Sequence, residues 1–182
     1  MNRQKDSNGS VTIEYDVPVP MRDGVVLRAD IYRPDGDGPW PVIVARTPYC
    51  KTDHYELQFL DPVLAARRGF IAVVQDVRGR FASEGRFVPF VHEATDGADT
   101  IDWAATLPGC NGSVGMWGLS YLGNAQWQAA GQQPVALKAI APERTFRETH
   151  AGLAFRSGAR EPPTTCSKSG ANHTRQPPWV CG

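Results

Sequence analysis

The 182-residue sequence lacks an excess of charge, a long apolar run and an export signal. Its 19 Lys and Arg residues balance 19 Asp and Glu residues, whereas a surface that binds nucleic acid or an anionic membrane is normally basic. Its longest apolar runs, residues 42–45 and 70–74, fall far short of the roughly 20 residues of a membrane helix. Its N-terminus, MNRQKDSNGS, contains no apolar segment of a secretory signal. We therefore expect a cytoplasmic protein that binds neither nucleic acid nor a membrane.

Cysteine is scarce and is not arranged for metal binding. The four cysteines are Cys50, Cys110, Cys166 and Cys181, and no two of them form a CxxC pair. Without that spacing and without an export signal, no disulfides are expected. Cys166 and Cys181 do not make a ligand set with His173. The phosphate-binding patterns GxGxxG and GxxxxGK are also absent, which argues against a nucleotide-binding loop.

The order of apolar patterns predicts an α/β fold. Residues 11–19 alternate between apolar and other side chains, which places Val11, Ile13, Tyr15, Val17 and Val19 on one face of a predicted strand. Together with residues 25–32 and the Asp-Gly turn between them, this strand predicts an antiparallel hairpin. Continuous apolar runs and helical spacing then predict buried strands at 41–45, 70–75, 113–118 and 137–141, with helices at 57–68, 91–107 and 121–131. A hairpin followed by β-α-β-α-β-α-β predicts a mostly parallel sheet with right-handed crossovers. Residues 143–159 keep some helical character.

The chain changes character near residue 160. All of the predicted elements lie in residues 1–160, whereas residues 161–182, EPPTTCSKSGANHTRQPPWVCG, contain four prolines and no hydrophobic period. This composition predicts an irregular tail. The abrupt change also fits a shift of the translation frame.

The segment GMWGLSYLG places Ser120 between a predicted buried strand and a predicted helix. A sharp turn of this kind, a nucleophile elbow, exposes the serine at the carboxyl end of the sheet, with the backbone N–H of Tyr121 next to it. The general G-x-S-x-G pattern has glycine where Leu122 stands, and Gly123 comes one residue later. The residues alone leave two interpretations open, a nucleophile or a serine that caps the helix.

Several segments, in order, resemble the cocaine esterase-like family of α/β-hydrolases (CocE/NonD), which includes X-Pro dipeptidyl-peptidases and α-amino acid ester hydrolases. They are MRDGVVLRADIYRP, PVIVARTPYCK, ARRGFIAVVQDVRGRFASEG, DGADTIDWAATLPGCNGSVGMWGLSYLG and LKAIAP. The family's elbow carries Ser-Tyr, a residue other than glycine, and then glycine, so Leu122 fits the family. The segment GLSYLGNAQWQAA is similar to the bacterial cocaine esterases.

The resemblance implies an α/β-hydrolase fold and a serine esterase or dipeptidyl-peptidase-like activity through an acyl-enzyme at Ser120. It implies that the Tyr49 hydroxyl and the Tyr121 N–H form the oxyanion hole, and it implies no metal or organic cofactor. The substrate would be a small-molecule ester or a peptide; the choice between them and the oligomeric state stay open. We expect Asp76 and the arginines after it to form a charged network that holds the strand ends.

The sequence supplies no recognisable triad acid or base. No aspartate follows Ser120, and the histidines after it are His150 and His173. The resemblance implies that the acid, the base, the last strands, the cap and a C-terminal β-sandwich lie beyond the matched segments. We therefore expect residues 1–160 to be the N-terminal part of an X-Pro dipeptidyl-peptidase-like domain, incomplete and inactive alone. The alternatives are a non-catalytic fragment that acts as an interaction module, and a split enzyme completed by a second chain.

Overall fold

The computed structural model describes residues 2–53 and 61–147, together with the backbone of residues 155–156 and 159–160. The chain divides into two compact units, Met1–Thr145 and Phe146–Gly182. In the second unit the structure describes two short antiparallel strands, β8 (Phe155–Arg156) and β9 (Ala159–Arg160). The helical character expected over residues 143–159 is therefore wrong at Phe155, Arg156 and Ala159. The predicted tail, 161–182, lies outside the described residues, and the boundary at residue 160 stays a prediction.

A seven-stranded sheet forms the first unit. Its strands are β1 (Asn2–Lys5), β2 (Val11–Pro20), β3 (Val26–Pro34), β4 (Trp40–Thr47), β5 (Ile71–Asp76), β6 (Cys110–Leu119) and β7 (Leu137–Glu143). They lie in the order β1-β2-β3-β5-β4-β6-β7. Strands β5, β4, β6 and β7 are parallel, and β1, β2 and β3 are joined to each other and to β5 by antiparallel pairing. The predicted hairpin and four parallel strands are confirmed. Strand β1 was not predicted, because its sequence NRQK has no apolar alternation.

Three described helices cover the two faces of the sheet. They are α1 (Pro62–Arg67), α2 (Glu93–Ala105) and α3 (Tyr121–Gly131). Asp61 caps α1, because its Oδ1 accepts the N–H groups of Val63 and Leu64. The helix predicted at 57–68 is confirmed from residue 62, and residues 54–60 lie outside the described residues. Alanines of α1 pack on one face of the sheet, whereas α2 and α3 pack on the other.

Strand β2 changes faces part of the way along its length. Val11 and Ile13 belong to the apolar cluster on the α1 side, whereas Val17 and Val19 belong to the cluster on the α2 side. A β-bulge lies between them, and Asp16 within it has φ 54°. One extra residue inverts the side-chain alternation of everything that follows. The prediction that the five alternating residues share one face is therefore wrong.

The carboxyl ends of β4, β5 and β6 lie side by side. Thr47 at the end of β4 is in register with Asp76 at the end of β5, and β4 pairs with β6 on its other side. The chain therefore leaves three neighbouring strands at one edge of the sheet. In open α/β sheets this edge is where ligands bind.

Candidate active site

Ser120 lies at the turn between β6 and α3. Its backbone has φ 54° and ψ −117°, a conformation that costs a residue with a Cβ atom of order 1–3 kcal/mol. Its N–H donates to the carbonyl of Glu143 at 2.9 Å, which joins the turn to the end of β7. Its side chain makes no capping hydrogen bond to α3. Helix capping therefore does not explain the serine.

Two glycines let the chain turn this sharply. Gly118 has φ 133°, and a Cβ atom there would meet Cβ of Leu122 at 2.5 Å. A Cβ atom on Gly123 would meet Cγ2 of Thr145 at 2.7 Å. Thr145 is itself fixed, because its hydroxyl donates to the Ser120 carbonyl at 2.6 Å. Gly123 thus has a steric reason to be glycine, because it packs closely against Thr145, the residue that holds the elbow.

Tyr121, the first residue of α3, has a buried side chain that ties the elbow to α2. Its hydroxyl donates to Oε1 of Glu93 at 2.8 Å and accepts the N–H of Phe90 at 3.2 Å. Its ring stacks on Phe90 with centroids 4.5 Å apart. Burial, together with the Glu93 carboxylate, raises the pKa of Tyr121 above its ordinary value. The phenol therefore stays neutral and keeps the elbow anchored.

Tyr49 lies in the loop that follows β4. Its side chain is 43% exposed, and its ring meets the Tyr121 ring edge-on, with centroids 6.4 Å apart and planes at 75°. Its backbone N–H donates to the Thr47 hydroxyl at 3.0 Å. The structure thus brings Tyr49 next to the residue that follows Ser120. The next residue, Cys50, is buried.

Charged side chains near the site form ion pairs, of which the one between Arg78 and Asp96 is buried. Nε and Nη2 of Arg78 donate to Asp96 at 2.9 and 2.7 Å, and its Nη1 donates to Asp23 at 2.8 Å. These two carboxylates raise the pKa of Arg78. Asp76 bonds instead to the backbone of the loop that follows β4, since its Oδ1 accepts the Lys51 N–H at 2.8 Å. The residues after β5 therefore form the structural network that the sequence led us to expect.

Sequence reasoning missed two members of this network, Arg46 and Glu93. Arg46 is fully buried within β4, and its Nη1 donates to Oε2 of Glu93 at 2.6 Å while its Nε donates to Gln75 at 2.8 Å. A sequence signal was available, because an arginine in a strand that is buried on both faces requires a buried partner. Glu93 also accepts the hydrogen bond of the Tyr121 hydroxyl, so it links Arg46 to the residue after Ser120.

The described residues do not complete a triad around Ser120. Its Oγ makes no hydrogen bond with any residue in the part of the chain that the structure describes. His92 is the one histidine in that part; it precedes α2 and bonds to Asp96 through its carbonyl. His150 and His173 lie outside it. The described ranges also contain no group of three His, Cys, Asp or Glu side chains that could hold a metal ion.

Comparisons with known proteins agree on one family. The family model described as X-Pro dipeptidyl-peptidase (S15 family) matches residues 23–178. Cocaine esterase from Rhodococcus sp. (strain MB1 Bresler) is 49% identical over 137 residues, which is 74% of this chain and 24% of that protein. A putative serine esterase from Mycobacterium bovis is 32% identical over 161 residues, covering 77% of this chain and 26% of its own length.

Solved structures give the same result. A CocE/NonD family hydrolase from Staphylococcus aureus superposes with a TM-score of 0.72 at 31% identity, covering 80% of this chain and 29% of that one. An α-amino acid ester hydrolase superposes with a TM-score of 0.69 at 33% identity, covering 80% of this chain and 27% of that one. The chain thus spans about a quarter of the length of the curated relatives it matches. Among the residues that the structure describes, no helix is long and apolar enough to cross a membrane.

Proposed function

The chain belongs to the X-Pro dipeptidyl-peptidase (S15) family and has the fold of the CocE/NonD hydrolases, and from this premise we propose that its elbow serine transfers acyl groups. The substrate is a small-molecule ester or a peptide, the two classes that the names of its relatives cover. Ser120 forms an acyl-enzyme, and water hydrolyses it. We also propose a cytoplasmic location, as the sequence predicts.

The observation that carries this proposal is the backbone of Ser120. A positive φ at a residue other than glycine is strained and persists where the surrounding structure enforces it. Here Glu143 and Thr145 hold the turn from the end of β7, and the serine side chain caps nothing. Strain of this kind, at a serine placed between a strand and a helix, is the geometry of a nucleophile elbow.

The chemistry follows from the groups around the serine. The Ser120 Oγ attacks the carbonyl carbon, a new C–O bond forms, and the carbonyl electron pair moves onto its oxygen. The Tyr121 N–H and the Tyr49 hydroxyl donate hydrogen bonds to that oxyanion. As the C–O or C–N bond to the leaving group breaks, the departing alcohol or amine takes up the proton that the Ser120 hydroxyl gave up, which leaves an ester on Ser120. Water then attacks this ester, which releases the carboxylic acid and regenerates the hydroxyl.

A second part of the proposal concerns the base. No described carboxylate or imidazole bonds to the Ser120 side chain, and the family resemblance places the acid and the base beyond the matched segments. Loss of the histidine base in a serine hydrolase costs about 10⁶ in kcat, whereas the oxyanion hole alone retains about 10³–10⁴ over water. We therefore propose that the 182-residue chain becomes acylated slowly by an activated ester and does not turn over.

Acylation by p-nitrophenyl acetate tests the function. The 182-residue chain should release one equivalent of p-nitrophenolate, and peptide mass spectrometry should find the acetyl group on Ser120. Ser120→Ala should abolish this reaction, whereas Ser113→Ala, a matched change in the preceding strand, should leave it unchanged. Acetyl groups scattered over lysines, with Ser120 unmodified, would favour the alternative of a non-catalytic interaction module.

A further inference from the structure

The loop that carries Tyr49 is held on both sides of that residue by one side chain from the end of β5 and one from the segment that follows β5. We name residues 48–53 the Tyr49 loop. Nε of Arg80 donates to the Pro48 carbonyl at 2.8 Å, one residue before Tyr49. Oδ1 of Asp76 accepts the Lys51 N–H at 2.8 Å, two residues after it. The two contacts fix the peptide unit directly before the tyrosine and the peptide unit between Cys50 and Lys51.

Arg80 also reaches the other half of the site. Its guanidinium carbon lies 4.9 Å from the centroid of the Phe81 ring and 5.3 Å from that of Phe87. The Phe87 ring lies 6.3 Å from the ring of Tyr121. Stacking on two aromatic rings leaves a guanidinium little rotational freedom. Its bond to the Tyr49 loop therefore has a fixed direction relative to the elbow.

Asp76 is held as firmly. It is fully buried; its Oδ1 accepts the Lys51 N–H, and its Oδ2 lies 3.6 Å from Nζ of the same lysine. Lys51 in turn pairs with Asp16 at 2.7 Å and faces Asp30 at 3.5 Å. The Ser83 hydroxyl donates to the Asp76 carbonyl at 2.6 Å. One buried lysine thus connects the Tyr49 loop to strands β2, β3 and β5.

The loop requires such restraints because its backbone is not relaxed. Cys50, which directly follows Tyr49, has φ 98°, a region that residues with a Cβ atom rarely occupy. A loop in that conformation moves to a more favourable one when its anchors are removed. Any such movement displaces the neighbouring tyrosine.

We propose that Arg80 and Asp76 are positioning residues that hold the Tyr49 hydroxyl where the oxyanion forms. Arg80 acts through the Pro48 carbonyl and Asp76 through the Lys51 N–H, and neither touches the substrate. This inference rests on the proposed role of Tyr49. The geometry of the oxyanion hole would then depend on the end of β5 and the segment after it, through Asp76 and Arg80.

A double-mutant cycle on the 182-residue chain tests the inference, with the rate of Ser120 acetylation by p-nitrophenyl acetate as the readout. Tyr49→Phe should slow acetylation by about 10²–10³, the usual cost of losing one oxyanion donor. Arg80→Met should slow it by about 10-fold, since small displacements of a catalytic group already reduce rates. In the Tyr49→Phe background, Arg80→Met should have no further effect. Arg86→Met, an exposed arginine in the same segment, is the matched control and should react like the wild type.

Asp76 is tested by a pair of variants. Asp76→Asn keeps an oxygen that can accept the Lys51 N–H, so it should acetylate at close to the wild-type rate. Asp76→Ala has no such oxygen and should be slower by about 10-fold. Equal rates for the two variants would contradict the role of Asp76. If the alanine variant does not fold in a urea titration, the Arg80 cycle decides the inference alone.

Fluorine NMR of the chain labelled with 3-fluorotyrosine separates this inference from the proposed function. The Tyr49 resonance, assigned by its loss in Tyr49→Phe, should shift or broaden in Arg80→Met and not in Arg86→Met. An unchanged resonance, or a rate loss that persists in the Tyr49→Phe background, overturns the inference. A normal acetylation rate in Tyr49→Phe overturns the oxyanion role of Tyr49 instead, even where the resonance shifts.

Discussion

Asp30 is the residue whose protonation should affect the stability of this protein most clearly. It lies fully buried in β3, where its Oδ1 accepts the Asp16 N–H at 2.9 Å and its Oδ2 has no hydrogen-bond partner. Burial raises its pKa to about 6, although Lys51 lowers it in part. The charged groups facing it are Lys51, Asp16 and Asp76, so three carboxylates share one ammonium group.

The first prediction concerns the stability of Asp30→Asn as a function of pH. Because the folded-state pKa is raised from 3.8 to about 6, folding favours the protonated carboxyl. The wild type should therefore lose stability from this group as pH rises from 4 to above 6. Asparagine mimics the protonated form. The free energy of unfolding of the variant, relative to that of the wild type, should therefore rise by about 1–3 kcal/mol as the pH increases from 4 to 8.

Urea unfolding at several pH values measures this difference. Asp37→Asn, an exposed aspartate in the loop after β3, is the control and should follow the wild type at every pH. A free-energy difference between Asp30→Asn and the wild type that does not change with pH would contradict the prediction. So would a variant that is less stable at pH 8 than at pH 4, relative to the wild type.

At the scale of single residues, the sequence indicated candidate site residues but not the partners of the buried charges. The elbow pattern and the family resemblance pointed to Ser120, Tyr49 and Tyr121, and the structure places these residues together. The pairing of Arg46 with Glu93 was not predicted, because the two residues are 47 positions apart and no local pattern relates them. Long-range ion pairs depend on the packing of α2 against the sheet, which periodicity alone does not specify.

Among the elements, helix α3 depends on small residues at its start. The start of the helix runs so close to the end of β7 that Gly123 meets Thr145, whereas nothing lies within 4 Å of a Cβ atom at Gly131, at its other end. The two glycines therefore provide a matched pair within one helix. One is required by packing and the other is not.

We expect Gly123→Ala to lower the free energy of unfolding by about 1–3 kcal/mol, because its methyl group must displace Thr145. The same change should slow Ser120 acetylation, since Thr145 holds the Ser120 carbonyl. Gly131→Ala should instead raise the free energy of unfolding by about 0.5–1 kcal/mol, the helix propensity gain. Urea titrations of both variants measure this, and equal effects from the two changes would show that packing at the elbow is not tight.

The element-scale predictions show what sequence periodicity can and cannot resolve. The four parallel strands and the helices between them followed from apolar runs and helical spacing, because both signals are local. The change of face in β2 was missed, because its apolar residues keep strict odd-numbered alternation through the bulge at Asp16. Only the register with β3 reveals the extra residue, and register is a property of two strands.

At the scale of the whole molecule, the parallel arrangement determines where the candidate site lies. Tyr49 follows β4, Asp76 ends β5, and Ser120 follows β6, and these three strands are adjacent in the sheet. A site assembled in this way could be predicted from the order of strands and the resemblance. The base and the acid could not, since no described side chain bonds to the Ser120 Oγ and the chain spans about a quarter of the length of its curated relatives.

We propose that Ser120 is a nucleophile facing an oxyanion hole made by Tyr49 and Tyr121. The decisive experiment is a crystal structure of the chain with phenylboronic acid, which mimics the tetrahedral intermediate. We predict boron bonded to the Ser120 Oγ, with one boronate oxygen about 2.7–3.1 Å from both the Tyr49 hydroxyl and the Tyr121 N–H. A boronate bonded to another residue, or one whose oxygens face neither donor, would contradict the claim.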